Sequence, residues 1–140
     1  MIAIIRIRGQ VGVDRNIKET LSRLRLRRKF ICIVLIKPGK EKLGMVKKLR
    51  DFVAFGDIKE DTFQKLMEKR GRLIDKTKKT DLKTATRELI AGKKDYEELN
   101  IKPFFRLHPP RGGIDSKIHF PKGVLGDNGE EINKLIERML

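Results

Sequence analysis

The stretch FICIVLI, residues 30–36, constrains the fold more than any other. Seven apolar residues follow one another, and Ile31, Ile33, Val34 and Ile36 are β-branched. A short, unbroken run of this kind reads as a buried strand. Partners for it lie on either side. IAIIRIR, residues 2–8, is a strand with Ile5 and Ile7 on one face and Arg6 and Arg8 on the other. FVAFG, residues 52–56, is a third strand.

A helix fits between each pair of strands. The first begins at Asp14, a suitable N-cap, and carries Ile17, Leu21 and Leu24 as its apolar stripe. It is expected to end in RLRLRRK, residues 23–29, because cations suit a helix C-terminus. The second follows a KPGKEK loop and runs through LGMVKKLRDF. Leu43, Val46 and Leu49 face inward, and Lys47, Lys48 and Arg50 outward. Residues 1–57 therefore read β-α-β-α-β. Each helix has a single stripe, so both are expected on one face of the sheet. The arginine face is then either open, as an RNA platform, or covered by the C-terminal half.

Residues 58–140 are expected to form a mainly helical and irregular extension packed on that core. DIKE, at 57–60, has capping-box spacing from Asp57 to Glu60. DTFQKLMEKRG is a third helix, with Phe63, Leu66 and Met67 on one side and Gly71 as its stop. KTKKT is a polar loop, and DLKTATRELIAG a helix with a glycine stop. KDYEEL is a helical turn, FFRL a short strand, and NGEEINKLIERML an amphipathic helix through Ile132, Leu135, Ile136 and Met139.

Charge narrows the function. The chain has 34 Lys and Arg against 19 Asp and Glu, a formal net charge of +15. The surplus sits mostly in residues 1–52, whose net charge is +11. A uniformly solubilised surface lacks that bias; a face for an anionic polymer has it, because each neutralised phosphate releases condensed counterions. Nucleic acid leads over an anionic membrane, since no basic amphipathic helix with exposed aromatics occurs. No apolar run reaches membrane-spanning length, and no secretory signal pattern opens the chain. Cys32 is the single cysteine and reads as a small core residue. With only His108 and His119 besides, no metal-ligand spacing exists. No cofactor is implied, and the chain is of a reduced, cytoplasmic type.

Four stretches carry candidate chemistry. Arg25, Arg27 and Arg28 crowd RLRLRRK, and arginine's planar fork suits phosphate. Arg70 and Arg72 flank Gly71, where a phosphate contact and a helix cap are compatible. RIRGQVGVDR, residues 6–15, is a strand, a glycine-flanked loop and a helix start, which can cradle an anion. That stretch resembles the acylphosphatase phosphate loop, with Arg15 available, but neither later strand has the asparagine such chemistry needs. PFFRLHPPRGG, residues 103–113, cannot be regular structure after Leu107. Phe104 and Phe105 anchor it, Pro109-Pro110 stiffen it, Gly112-Gly113 permit positive φ, and Arg106, His108 and Arg111 project from it.

In order, MIAIIRIRGQVGV, LGMVKKLRDFVAFGDI, EKRGRL, FRLHPPRGG and GVLGDNGEEINKLIERML resemble the archaeal form of large-subunit ribosomal protein thirty. Its eukaryotic counterpart is ribosomal protein seven of the large subunit. The resemblance covers nearly the whole chain. It implies an α+β fold, ferredoxin-like in part, whose β-α-β-α-β core has an antiparallel sheet. It also implies a structural role without enzymatic activity. The partners would be large-subunit rRNA and neighbouring ribosomal proteins. Matched block by block, the implied RNA contacts are Arg6, Arg8 and Gly9; Lys47 and Lys48; Arg70 and Arg72; and Arg106, His108, Arg111, Gly112 and Gly113. Arg25, Arg27 and Arg28 rest on charge alone. The chain departs from the family after Gly113, where IDSKIHFPK keeps only Lys117 and Lys122, and at Phe55, where the family often has Trp. An acylphosphatase-like enzyme and a free-standing RNA-binding module are the alternatives.

Overall fold

A computed structural model describes residues 1–9, 11–114, 118–120 and 122–140. Lys117 lies outside them. The elements are β1 (Ile2–Arg6), α1 (Arg15–Arg23), β2 (Ile31–Leu35), α2 (Lys40–Lys48), β3 (Val53–Asp57), α3 (Glu60–Arg70), α4 (Leu82–Ile90), β4 (Phe105–Arg106), β5 (Gly126–Asp127) and α5 (Ile132–Met139). A 3-10 turn, Gly129–Glu131, leads into α5.

One sheet holds all five strands in the order β4-β2-β1-β3-β5. β1 is central and antiparallel to both β2 and β3. The β-α-β-α-β core is as expected. The second half of the chain then widens the sheet at both edges. β4 pairs antiparallel with β2 over two residues, and β5 pairs parallel with β3 over two.

Both faces of the sheet are covered, so the arginine face is neither open nor covered by the C-terminal half: α1, α2 and the loop after α1 lie over it. Ile4, Ile31, Ile33 and Val53 pack under α1 and α2 with Leu21, Leu24, Val46 and Leu49. Ala3, Ile5, Ile7, Cys32, Val34 and Ala54 pack on the other side with Phe63, Leu66, Met67, Leu89, Leu135, Ile136 and Met139. This explains the unbroken FICIVLI run: alternate residues of β2 enter two different cores, so neither set can be polar. It also reverses the expected layout. The first two helices sit on the Ile4 side, the side that Arg6 shares, and the C-terminal helices cover Ile5 and Ile7.

Three boundaries shift. α1 stops at Arg23, and the rest of RLRLRRK is a loop; Arg25 within it and Phe30 just after it both have φ of 63°. α2 begins at Lys40 behind an extended Gly39, inside the expected KPGKEK loop. The capping box of DIKE does not form, since α3 has Lys59 as its N-cap residue. Instead Asn133, from α5, accepts the Lys59 N–H at 2.8 Å and donates to Asp57 O and Glu130 O. One buried amide thus binds the β3–α3 junction to the last helix.

Cys32 has no exposure, and burial pushes its thiol up to about 12. A raised pKa keeps the sulfur protonated through the alkaline range, so it is a poor nucleophile there. Native protein is expected to leave a chromogenic disulfide reagent unreacted at about pH 9, and urea-unfolded protein to react at its one thiol. Rapid labelling of the native chain would show that β2 is not enclosed.

Candidate nucleic-acid interface

Most of the expected contact residues gather at one end of the sheet, because three strands turn there. β1 leaves the sheet at Arg6, opposite Val53 at the start of β3. The Ile7 and Arg8 N–H groups donate to Phe52 O at 3.1 and 3.2 Å. Phe52 closes the short turn after α2, so Lys47 and Lys48, both exposed, belong to this end. β2 enters at the same level: Phe30 N–H donates to Arg6 O at 2.7 Å. The loop before it carries Arg25, Arg27, Arg28 and Lys29, all exposed. β4 leaves here too, with Arg106 opposite Ile31 and the Leu107 N–H donating to Phe30 O at 3.1 Å.

The segment after β4 is fixed along the last turn of α5. The His108 and Arg111 N–H groups donate to Met139 O and Arg138 O at 3.2 and 3.0 Å. Arg138 Nη2 donates to Gly113 O. His108 Nδ1 lies 2.6 Å from Pro109 O, and Nε2 lies 2.6 Å from Leu140 O. His108 is therefore engaged in holding the ribbon, while Arg106 and Arg111 are exposed. Gly112 and Gly113 turn the chain with φ of 81° and 76°, a region that glycine enters without strain. The Phe pair straddles the sheet edge: Phe105 is in the α3–α5 core, and Phe104 packs against the α1–α2 core.

Arg6 departs from the expectation. Its side chain is buried, with Nε donating to Arg8 O at 3.0 Å and Nη1 to Leu26 O at 2.8 Å. Desolvation lowers its pKa below the usual arginine value. The two-residue alternation placed Arg6 correctly opposite Ile5, but that face is roofed by the α1–β2 loop. Arg8 and Gly9, just past the strand, are exposed. Arg25 Nη2 stands 3.7 Å from Glu97 Oε1, and both side chains are exposed. Such a pair is weak enough to exchange for a phosphate. Arg70 is half-buried and Arg72 exposed at the end of α3, in the layer on the opposite face from α2.

Asp51 and His119 were not expected to matter, yet Asp51 Oδ1 lies 2.7 Å from His119 Nε2 and ties the loop before β5 to the α2–β3 turn. A contact across 68 residues leaves no sequence signal. Arg15, the residue an acyl-phosphate site would use, is exposed at the start of α1, and β2 and β3 contain no asparagine. Among the described residues no group of side chains could hold a metal ion, and no helix is long and apolar enough to cross a membrane.

A family model described as ribosomal protein L30p/L7e matches residues 2–53, the segment that builds β1, β2 and most of the cationic end. A large ribosomal subunit protein uL30 of Archaeoglobus fulgidus is 40% identical over 99% of both chains. The chain belongs to the ribosomal protein L30p/L7e family. Two further archaeal uL30 proteins support this. That of Methanococcus maripaludis is 38% identical, covering 99% of this chain and 98% of its own. That of Nanoarchaeum equitans is 39% identical, covering 100% and 99%. In this L30p/L7e chain the matched segment ends at β3, and β4, β5 and the ribbon on α5 come from the residues beyond it.

Proposed function

We propose that this chain is a structural, non-enzymatic constituent of the large ribosomal subunit, in the cytoplasm, and that the cationic end of its sheet binds large-subunit rRNA. Residues 1–57 supply the rRNA-binding core, and residues 58–140 extend it and add the ribbon. The observation that carries the reading is the convergence at one end of the sheet of four segments: Arg8, the loop at 25–29, Lys47 and Lys48 of α2, and the β4–ribbon stretch with Arg106 and Arg111. A rigid scaffold that presents exposed cations from several loops suits phosphate positions in folded RNA rather than a base sequence. The partners are therefore rRNA and the neighbouring proteins of the subunit, with no membrane and no small-molecule substrate.

Sedimentation of cell extract through a sucrose gradient at high salt tests this. The protein is expected to co-migrate with the large subunit, and an Arg106→Ala/Arg111→Ala variant to shift partly to the top of the gradient. Wild-type protein found only at the top would overturn the reading and favour a free-standing RNA-binding module.

A further inference from the structure

Arg6 is a cation that the sheet end encloses rather than displays. It is 2% exposed, and no ion pair reaches it among the described residues. Nη2 is enclosed without a hydrogen-bond partner. A buried charge without a counter-ion is costly, and an apolar side chain of similar volume often serves stability better. The guanidinium therefore has a task other than packing.

Its bonds identify that task. Nη1 holds Leu26 O, and the Arg6 main-chain oxygen accepts the Phe30 N–H. One residue thus grips the loop at both ends, with the exposed Arg27, Arg28 and Lys29 between the grips. The loop needs holding. Arg25 and Phe30 border it in the left-handed region, which non-glycine residues rarely occupy unless surrounding structure enforces it. Leu26, fully buried, pins it from below. The third bond, from Nε to Arg8 O, fixes the exit of β1.

We infer that Arg6 is a positioning residue for RNA binding: it presets the 25–29 loop and Arg8 and does not itself touch phosphate. This rests on the proposed rRNA interface. A loop held in its bound geometry loses less entropy on binding, so removing the strut weakens contacts that remain chemically intact.

A double-mutant cycle tests it, with in vitro transcribed large-subunit rRNA as probe and filter binding across a salt series. The variants are Arg6→Met, Arg6→Lys, Arg27→Ala/Arg28→Ala, and Arg6→Met combined with that pair. Arg6→Met is expected to weaken binding roughly 10-fold and to lower the salt slope by more than one phosphate contact. The combined variant is expected to lose less than the two separate losses multiplied together, the remainder coming through Arg8, Arg25 and Lys29. Arg6→Lys should not rescue, because a single ammonium cannot bridge Arg8 O and Leu26 O as the fork does. Without RNA, amide exchange at Leu26 and Phe30 should quicken in Arg6→Met while the β1–β3 ladder keeps its protection.

Additive losses with rescue by lysine would make Arg6 a direct phosphate contact and overturn the inference. So would unchanged RNA binding in a folded Arg6→Met. If Arg27→Ala/Arg28→Ala leaves binding unaltered, the interface reading is itself wrong and the inference falls with it.

Discussion

Gly56→Ala is expected to destabilise the fold by about 3 kcal/mol, the upper range for forcing an extra group into a packed site. A Cβ at Gly56 would stand 2.2 Å from Gly129 O and 3.0 Å from Gly129 N. The obstacle is backbone, so no rotamer change relieves it. Nor can the turn simply move away. Asn128 N–H donates to Phe55 O at 2.7 Å, and Asp127 Oδ1 accepts the Gly129 N–H at 2.9 Å. Shifting Gly129 breaks those bonds and displaces α5, which begins three residues on. Gly44→Ala is the control: it sits inside α2 with nothing near its added methyl, and should gain about 0.5–1 kcal/mol from helix propensity. Urea unfolding measures both. A Gly56→Ala midpoint equal to wild type would mean that the β3–turn approach is looser than described.

Phe105→Ala should lose about 3–5 kcal/mol, as expected for emptying a fully buried aromatic site. Phe105 has no exposure and meets Tyr96 edge to face, with ring centroids 6.5 Å apart at 69°. Tyr96 in turn donates its hydroxyl to Val34 O at 2.9 Å. Phe104 is only half-buried, so Phe104→Ala should lose about 1–2 kcal/mol. The larger loss also has a functional side. Phe105 is half of β4, and Arg106 and the ribbon to Gly113 are hung from it. In thermal unfolding and subunit-association assays, Phe105→Ala should lose both stability and large-subunit occupancy at temperatures where Phe104→Ala retains them. Equal behaviour of the two variants would show that the ribbon is held by α5 alone.

β2 was legible as an unbroken apolar run, β1 by its alternation, and most of the helices because each has an apolar period long enough to read. Val46 on α2, Leu49 at its C-cap, and Phe63, Leu66 and Met67 on α3 are buried as their spacing implies. The position of Arg6 was half legible. Alternation fixes which residues share a face of a strand, but not what lies over that face. What covers Arg6 is a main-chain oxygen, Leu26 O, and a backbone acceptor has no signature in a sequence. The same limit hid Asn133, whose cap on α3 spans 74 residues. β5 is two residues, too short for any period, whereas β4, equally short, lies inside the expected FFRL strand. In the interface, the ribbon announced itself through its prolines and glycines. That His108 would be spent on carbonyls while Arg106 and Arg111 stay outside followed only from the docking on α5.

The edges of the sheet come from residues 105–127, although its centre is residues 2–6. A chain emerging from synthesis can therefore pair β1 with β2 and β3 early, but Ala3, Ile5, Ile7 and Val34 then face water until α3, α4 and α5 exist to cover them. Contacts this distant in sequence close late and slowly, and a bare apolar sheet face is where nascent chains associate wrongly. Cationic loops at the sheet end would keep such an intermediate dispersed by mutual repulsion. Positive charge at the sheet end would thus also guard the chain during the interval before its second half arrives.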